Sequence, residues 1–261
     1  MKYKYSYLIY VHYLGFRFHG WQKQNSVMSL HEMIDKTLRY SFTNSRFKTL
    51  GSGRTDSKVS STNYPLQLFL DEEIIVDDLK KSFNKNAPSD LKIVSISKIS
   101  DPTFNIIQSV KLKVYHYYFS NTGKNHPYAS PFMTGYEGLN IDLMNEGARL
   151  FEGHHFFGNY CTKPNIDTNL FRSIKSCEIK SNTYLSANFF PDKSYVLKVI
   201  GTGFLRYQIR LMMGALVELG TGNMTLKDIE ISLIDSGEKL LMKTIAPGSG
   251  LHLYDVDFTK K

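Results

Sequence analysis

At 261 residues, 42% of them hydrophobic, the chain can bury a sizeable core in one large domain or two ordinary ones, which excludes disorder as the default state. Its 32 Lys and Arg outnumber 24 acidic residues, for a formal charge of +8, and 17 Tyr and 17 Phe are interleaved with the cations, a balance suited to a polyanion whose bases stack on rings, although most aromatics in any chain are core. The two cysteines, Cys161 and Cys177, have no Cys-x-x-Cys or zinc-like spacing, so neither a disulfide framework nor a metal site is indicated, and a reducing cytoplasm fits.

The N-terminal "MKYKYSYLIYVHYLGF" alternates polar and apolar residues without the apolar core or cleavage site of a secretion signal, and predicts a strand over 3–13. "SVMSLHEMIDKTLRYSF" carries Leu30, Met33, Ile34 and Leu38 at helical spacing, with Ser29 and Glu32 placed as a capping box. After a small-residue loop, "LGSGRTDSKVS", come a strand at 63–70, a helix at 74–86 and a strand at 91–99. A second series follows: a strand at 114–120, a helix at 141–152, strands at 172–181 and 195–203, and a helix at 204–220 closed by Gly220 and Gly222. A boundary near Asp101 and Pro102 gives an N-terminal α/β half, 1–103, and a C-terminal α/β half, 104–261, with a cleft as the expected place for a site. The notable apolar run at 211–217 is too short to cross a membrane, so a soluble protein is expected.

Three constellations can carry chemistry. In extended backbone Arg54 and Asp56 project to one side, where the guanidinium would keep the carboxylate ionised, as a nucleophile requires; equally, Asp56 can cap a turn beside a solvated Arg54. In the 204–220 helix Arg206, Arg210 and Gly214 fall at successive i, i+4 positions and read either as an anion site or as a solvated basic stripe. Alternation in "KVYHYYF" puts Lys113, Tyr115 and Tyr117 on one strand face, where a phenol stacks on a base, moves a proton or simply packs. "GSGRTD" lacks the ending of a phosphate loop and the third glycine of a dinucleotide fingerprint, and adjacent His154 and His155 lack zinc spacing.

In this order along the chain, "YLGFRFHGWQKQ" (13–24), "GSGRTD" (51–56), "NKNAPSDLKI" (84–93), "KVYHYYF", "GFLRYQIRLMMGALVELG" and "APGSGLHLYDVDF" (246–258) resemble the motifs of the tRNA pseudouridine synthase A family. The resemblance implies an α+β pseudouridine synthase fold, two similar α/β halves with a mixed, mainly antiparallel sheet and a central cleft. It implies an isomerase that turns uridine into pseudouridine at tRNA positions 38, 39 or 40 of the anticodon stem-loop. Asp56 is then the nucleophile, Arg54 pairs with it and fills the space of the flipped base, Tyr115 stacks on the uracil, and Arg210 pairs with or steadies Asp56. Leu251 and Leu253 form an apolar wall, while Lys113, Arg206 and Lys23 contact the RNA. No metal or other cofactor is implied; the expected partners are tRNA and a second copy of the chain in a cytoplasmic homodimer.

Two departures bear on that expectation. Where the family usually has Ala-Gly-Val-His-Ala after the aspartate, this chain has Ser57, Lys58, Val59, Ser60 and Ser61, and where the family commonly has an arginine it has Ile107. They motivate two alternatives: a non-catalytic RNA-binding or chaperone-like descendant, and a synthase acting on another RNA.

Overall fold

The computed structural model describes residues 3–42, 46–237 and 242–258. These divide into two compact units, one of the residues up to 111 together with those from 253 on, and the other of residues between 112 and 252.

The first unit begins with β1 (Tyr5–Tyr13), α1 (Leu30–Ser41), β2 (Phe47–Gly51), β3 (Ser60–Leu70), α2 (Val76–Asn86) and β4 (Leu91–Lys98). β1 lies between β3 and β4 and is antiparallel to both, and β2 is antiparallel to β3. A strand flanked on both edges leaves few backbone groups for water, and Tyr7, Leu8, Ile9, Val11 and Tyr13 of β1 are all buried. Leu30, Ile34 and Leu38 of α1 and Leu79 and Phe83 of α2 form the apolar stripes that hold the helices in place. Ser29 caps α1 by accepting from Glu32 N. Asn84 near the end of α2 both accepts from Ile93 N (2.7 Å) and donates to Ile93 O (3.0 Å), which ties α2 to β4.

The second unit contains β5 (Val110–Ser120), β6 (Thr134–Gly135), α3 (Ile141–Leu150), β7 (Gly153–Phe156), β8 (Phe171–Ser181), β9 (Ser194–Gly201), α4 (Gln208–Gly220) and α5 (Leu226–Ser232). The order β5-β9-β8-β7 is antiparallel throughout, and β6 runs parallel to β5, so the sheet is mixed. α4 is buried on nearly every side, consistent with its "LMMGALVELG" composition. The reciprocal capping box belongs to α5, where Thr225 and Asp228 satisfy each other's backbone N–H. β10 (Leu251–Phe258) lies beside β3, and its residues 253–258 complete the first unit; there Ser61 Oγ donates to Leu253 O (2.6 Å). This is the mainly antiparallel α+β architecture expected of the pseudouridine synthase fold.

The basic stripe on the 204–220 helix is altered by the structure. Tyr207, with φ 63° and ψ 5°, is left-handed and interrupts the segment, so α4 starts at Gln208 and Arg206 lies before the helix. Gly214 serves close packing: a Cβ there would sit 1.9 Å from the carbonyl oxygen of Thr244.

Candidate active site

The loop bearing Arg54 and Asp56 leaves the end of β2 and enters β3. Its alternation is real: Thr55 is buried, whereas Arg54 is exposed and Asp56 half-buried. Thr55 points inward because its hydroxyl meets Tyr13 Oη (3.2 Å) and its carbonyl accepts from Trp21 N (3.0 Å).

The segment 13–21 forms a cradle for the loop. Gly15 N donates to Ser60 Oγ (2.9 Å), and Lys58 N and Ser57 Oγ both donate to Phe18 O, at 3.0 and 3.3 Å. A Cβ on Gly15 would lie 2.0 Å from Val59 O, and one on Gly20, at φ +90°, would lie 2.8 Å from Thr55 O. The glycines of "YLGFRFHGW" are therefore places where one backbone runs against another. Arg17 holds the cradle to the 84–93 segment through a bidentate pair with Asp90, its second nitrogen donating at 2.9 Å.

An aromatic wall closes the other side of the loop. Trp21 stacks on Tyr64 (centroids 4.2 Å apart) and on His31 (4.8 Å), and Tyr64 Oη donates to Gly53 O (2.6 Å). Gly51 admits these rings, because a Cβ there would lie 2.1 Å from Tyr64 Oη and 2.5 Å from the indole. Behind the indole, His31 Nε2 is 2.7 Å from Thr49 Oγ1, which donates to Asp35, and Asp35 pairs with Lys23. Burial lowers the His31 pKa, as does Lys23, while Asp35 opposes them. Lys23, expected to contact RNA, is exposed and ion-paired here.

In the second unit, Tyr115 is buried, with its ring edge-to-face against Phe204 (5.3 Å), and Phe204 also covers Gly201 on β9. Lys113, two residues away, is half-buried, and desolvation pulls its ammonium below the usual lysine pKa. Arg210 is half-buried in the first turn of α4. Its Nε donates to Ala246 O (2.7 Å), and Ala246 N donates back to Arg210 O (3.1 Å). Arg206 is exposed; its guanidinium and that of Arg210 lie over the Tyr207 ring at 5.4 and 4.8 Å from the centroid. The two cations thus share one aromatic residue in place of the expected helical stripe. Leu251 and Leu253 are both buried. Ile107 is 54% exposed in a turn that Asn105 builds by accepting from Ile107 N and Gln108 N. His154 meets Ser173 Oγ and His155 meets Glu152 O, structural roles that agree with their spacing.

A family model described as tRNA pseudouridine synthase matches residues 148–259. A tRNA pseudouridine synthase A of Dictyoglomus thermophilum is 30% identical over 249 residues, covering 94% of this chain and 96% of that protein. The chain belongs to the tRNA pseudouridine synthase A family. Proteins with the same name from Streptococcus pyogenes serotypes M49 and M1 are 28% identical over 247 residues, again covering 94% of this chain and 96% of theirs. Within the family frame, Lys58 is the departure with a visible structural cost: it takes φ 67°, the left-handed region that glycine occupies without strain, and its ammonium rests over the Phe16 ring at 5.4 Å. Spacing alone did not single out Trp21, Tyr64, Phe204 or Tyr207; the glycines at 15, 20 and 51 were the available signal.

Proposed function

We propose that this isomerase converts uridine to pseudouridine at position 38, 39 or 40 of the tRNA anticodon stem-loop, with Asp56 as nucleophile. The observation that carries the reading is the loop 51–56: its buried Thr55, the backbone of Gly20 pressed against Thr55 O and the aromatic wall at Gly51 and Gly53 hold the half-buried Asp56 in a defined position. The Asp56 carboxylate attacks the nucleoside and lets the N1–C1′ bond break. The detached uracil turns, C5 bonds to C1′ as the bond to Asp56 breaks and the carboxylate is released, the C5 proton leaves and N1 takes up a proton. The product is an isomer of the substrate, so the atoms balance without a redox partner or co-substrate.

Arg54 fills the space of the extruded base, Tyr115 stacks on the uracil and assists loss of the C5 proton, and Arg210 steadies the carboxylate in its ionised form. Leu251 and Leu253 supply apolar wall, and Lys113, Arg206 and Lys23 meet phosphates. Extruding the base costs a few kcal/mol, which contacts between a chain of charge +8 and the RNA backbone offset. A cytoplasmic homodimer with one tRNA lying across both subunits completes the proposal. Among the described residues, no helix is long and apolar enough to cross a membrane.

The test is a map of pseudouridine, by chemical adduct formation and primer-extension stops, in unmodified tRNA transcripts treated with wild type or Asp56→Ala. New stops at 38–40 with wild type only, and tRNA binding retained by the variant, are expected. Substantial single-turnover activity in Asp56→Ala removes that residue from its role. Tight tRNA binding without any stops, with stops appearing instead in another RNA of a mixed cellular pool, would replace the proposed substrate.

A further inference from the structure

Tyr207 adopts a conformation that α4 does not require. Among the described residues only Lys58, Lys163 and Tyr207 have positive φ without being glycine, and Tyr207 is the one with a bulky ring. The surrounding turn enforces it from both ends. Gln208 N donates to Leu205 O (3.2 Å), Leu205 N donates to the buried Gln208 Oε1 (2.8 Å), and Leu211 N donates to Tyr207 O (2.9 Å). Thr162 N also donates to Arg206 O (3.3 Å), fixing the residue just before it.

The left-handed backbone aims the side chain in a direction that a helical residue could not, and what it meets there is charge. The ring lies beneath the guanidiniums of Arg206 and Arg210, and a cation over an aromatic face is attracted by the ring quadrupole. Arg210 is restrained a second time where Nε donates to Ala246 O, and the adjoining Pro247 O accepts from the buried Tyr117 hydroxyl (2.9 Å). A backbone carbonyl fixes one nitrogen and an aromatic ring fixes the plane of the group.

We infer that Tyr207 is a positioning residue for Arg210: its strained backbone is maintained so that its ring holds the Arg210 guanidinium in the orientation catalysis uses. The inference rests on the proposed role of Arg210. It assigns a function to a residue outside the nucleophile loop.

The test compares kcat, KM and Tm for Tyr207→Gly, Tyr207→Phe, Arg210→Ala and the combination of Tyr207→Gly with Arg210→Ala. Glycine relieves the backbone, so Tm is expected to stay or rise while kcat falls about tenfold, the scale of a misoriented group, and KM changes less than twofold. Tyr207→Phe keeps the ring and retains the wild-type kcat. In the Arg210→Ala background, Tyr207→Gly causes no further loss. Tyr207→Asn, which also tolerates the left-handed region, is a second ringless variant with the same expected result if the glycine protein does not fold. Wild-type kcat in the ringless variants, or the same fractional loss with and without Arg210, overturns the inference. An Arg210→Ala protein with undiminished kcat refutes the parent reading and this one with it, a result distinct from a costly Arg210→Ala beside a harmless Tyr207→Gly.

Discussion

Gly15→Ala tests the claim that the nucleophile loop is held by backbone packing. The added methyl would start 2.0 Å from Val59 O and 2.4 Å from Val59 C, both main-chain atoms that no rotamer change can move aside. Reaching ordinary contact at 3.4 Å requires a separation of about 1.4 Å more. Val59 N donates to Asp56 O (3.2 Å) and Lys58 N to Phe18 O (3.0 Å), so the shift is transmitted to the aspartate. Overpacking of this kind costs roughly 1–3 kcal/mol of stability, and a displacement near 1 Å costs about a hundredfold in rate. Urea denaturation gives the first quantity and single-turnover pseudouridine formation the second. Gly203→Ala is the control, because a Cβ there meets nothing within 4 Å and its φ is not positive. Stability within about 0.5 kcal/mol of wild type, together with full activity in Gly15→Ala, would refute the cradle.

Tyr64→Phe keeps the ring stacked on Trp21 and removes the hydrogen bond to Gly53 O; a loss of about 1 kcal/mol in urea denaturation is expected, with reduced turnover. Burial, assisted by Lys198 and His252, pushes the His116 pKa down to about 3, so the folded state resists protonation that the unfolded chain accepts near 6.5. Stability from this residue is fully present above pH 6.5 and is lost as pH falls from there toward 3, by no more than about 1.4 kcal/mol per pH unit; His116→Gln should flatten the acid side of a stability–pH curve. Affinity for tRNA should fall on a log–log plot against salt with a slope of about 0.7 to 0.9 per phosphate contact, and a flat titration would contradict electrostatic docking.

How much of this was legible in the residues differs from element to element. The apolar spacing in "LHEMIDKTL" and "DDLKKSF" marks α1 and α2 because period-3.6 burial needs only local geometry, and β1, β3, β4, β8 and β9 follow from alternation or short apolar runs. The short strands β2, β6 and β7 were not marked, since two to five residues carry too little pattern. α5 did have a signal, the Thr225 and Asp228 capping pair, that a closer reading could use.

The site divides in the same way. "GSGRTD" by itself singles out a carboxylate beside an arginine, and the six ordered motifs by themselves indicate the family, because residue identity at fixed spacing is a property of the chain. Tertiary structure alone decides why those identities work. Gly15 and Val59, or Tyr64 and Gly53, meet only when β1, β2 and β3 are brought side by side, and no local window contains such pairs. The start of α4 is the sharpest case: helical periodicity runs unbroken through "FLRYQIRLMMG", yet the hydrogen bonds around Leu205 and Gln208 place Tyr207 in the left-handed region, remove Arg206 from the helix and bring both arginines onto one ring. Propensity differences of a few tenths of a kcal/mol per residue yield to such packing and hydrogen bonding, and for that reason the sequence determines the chemistry available while the fold determines which groups are aimed.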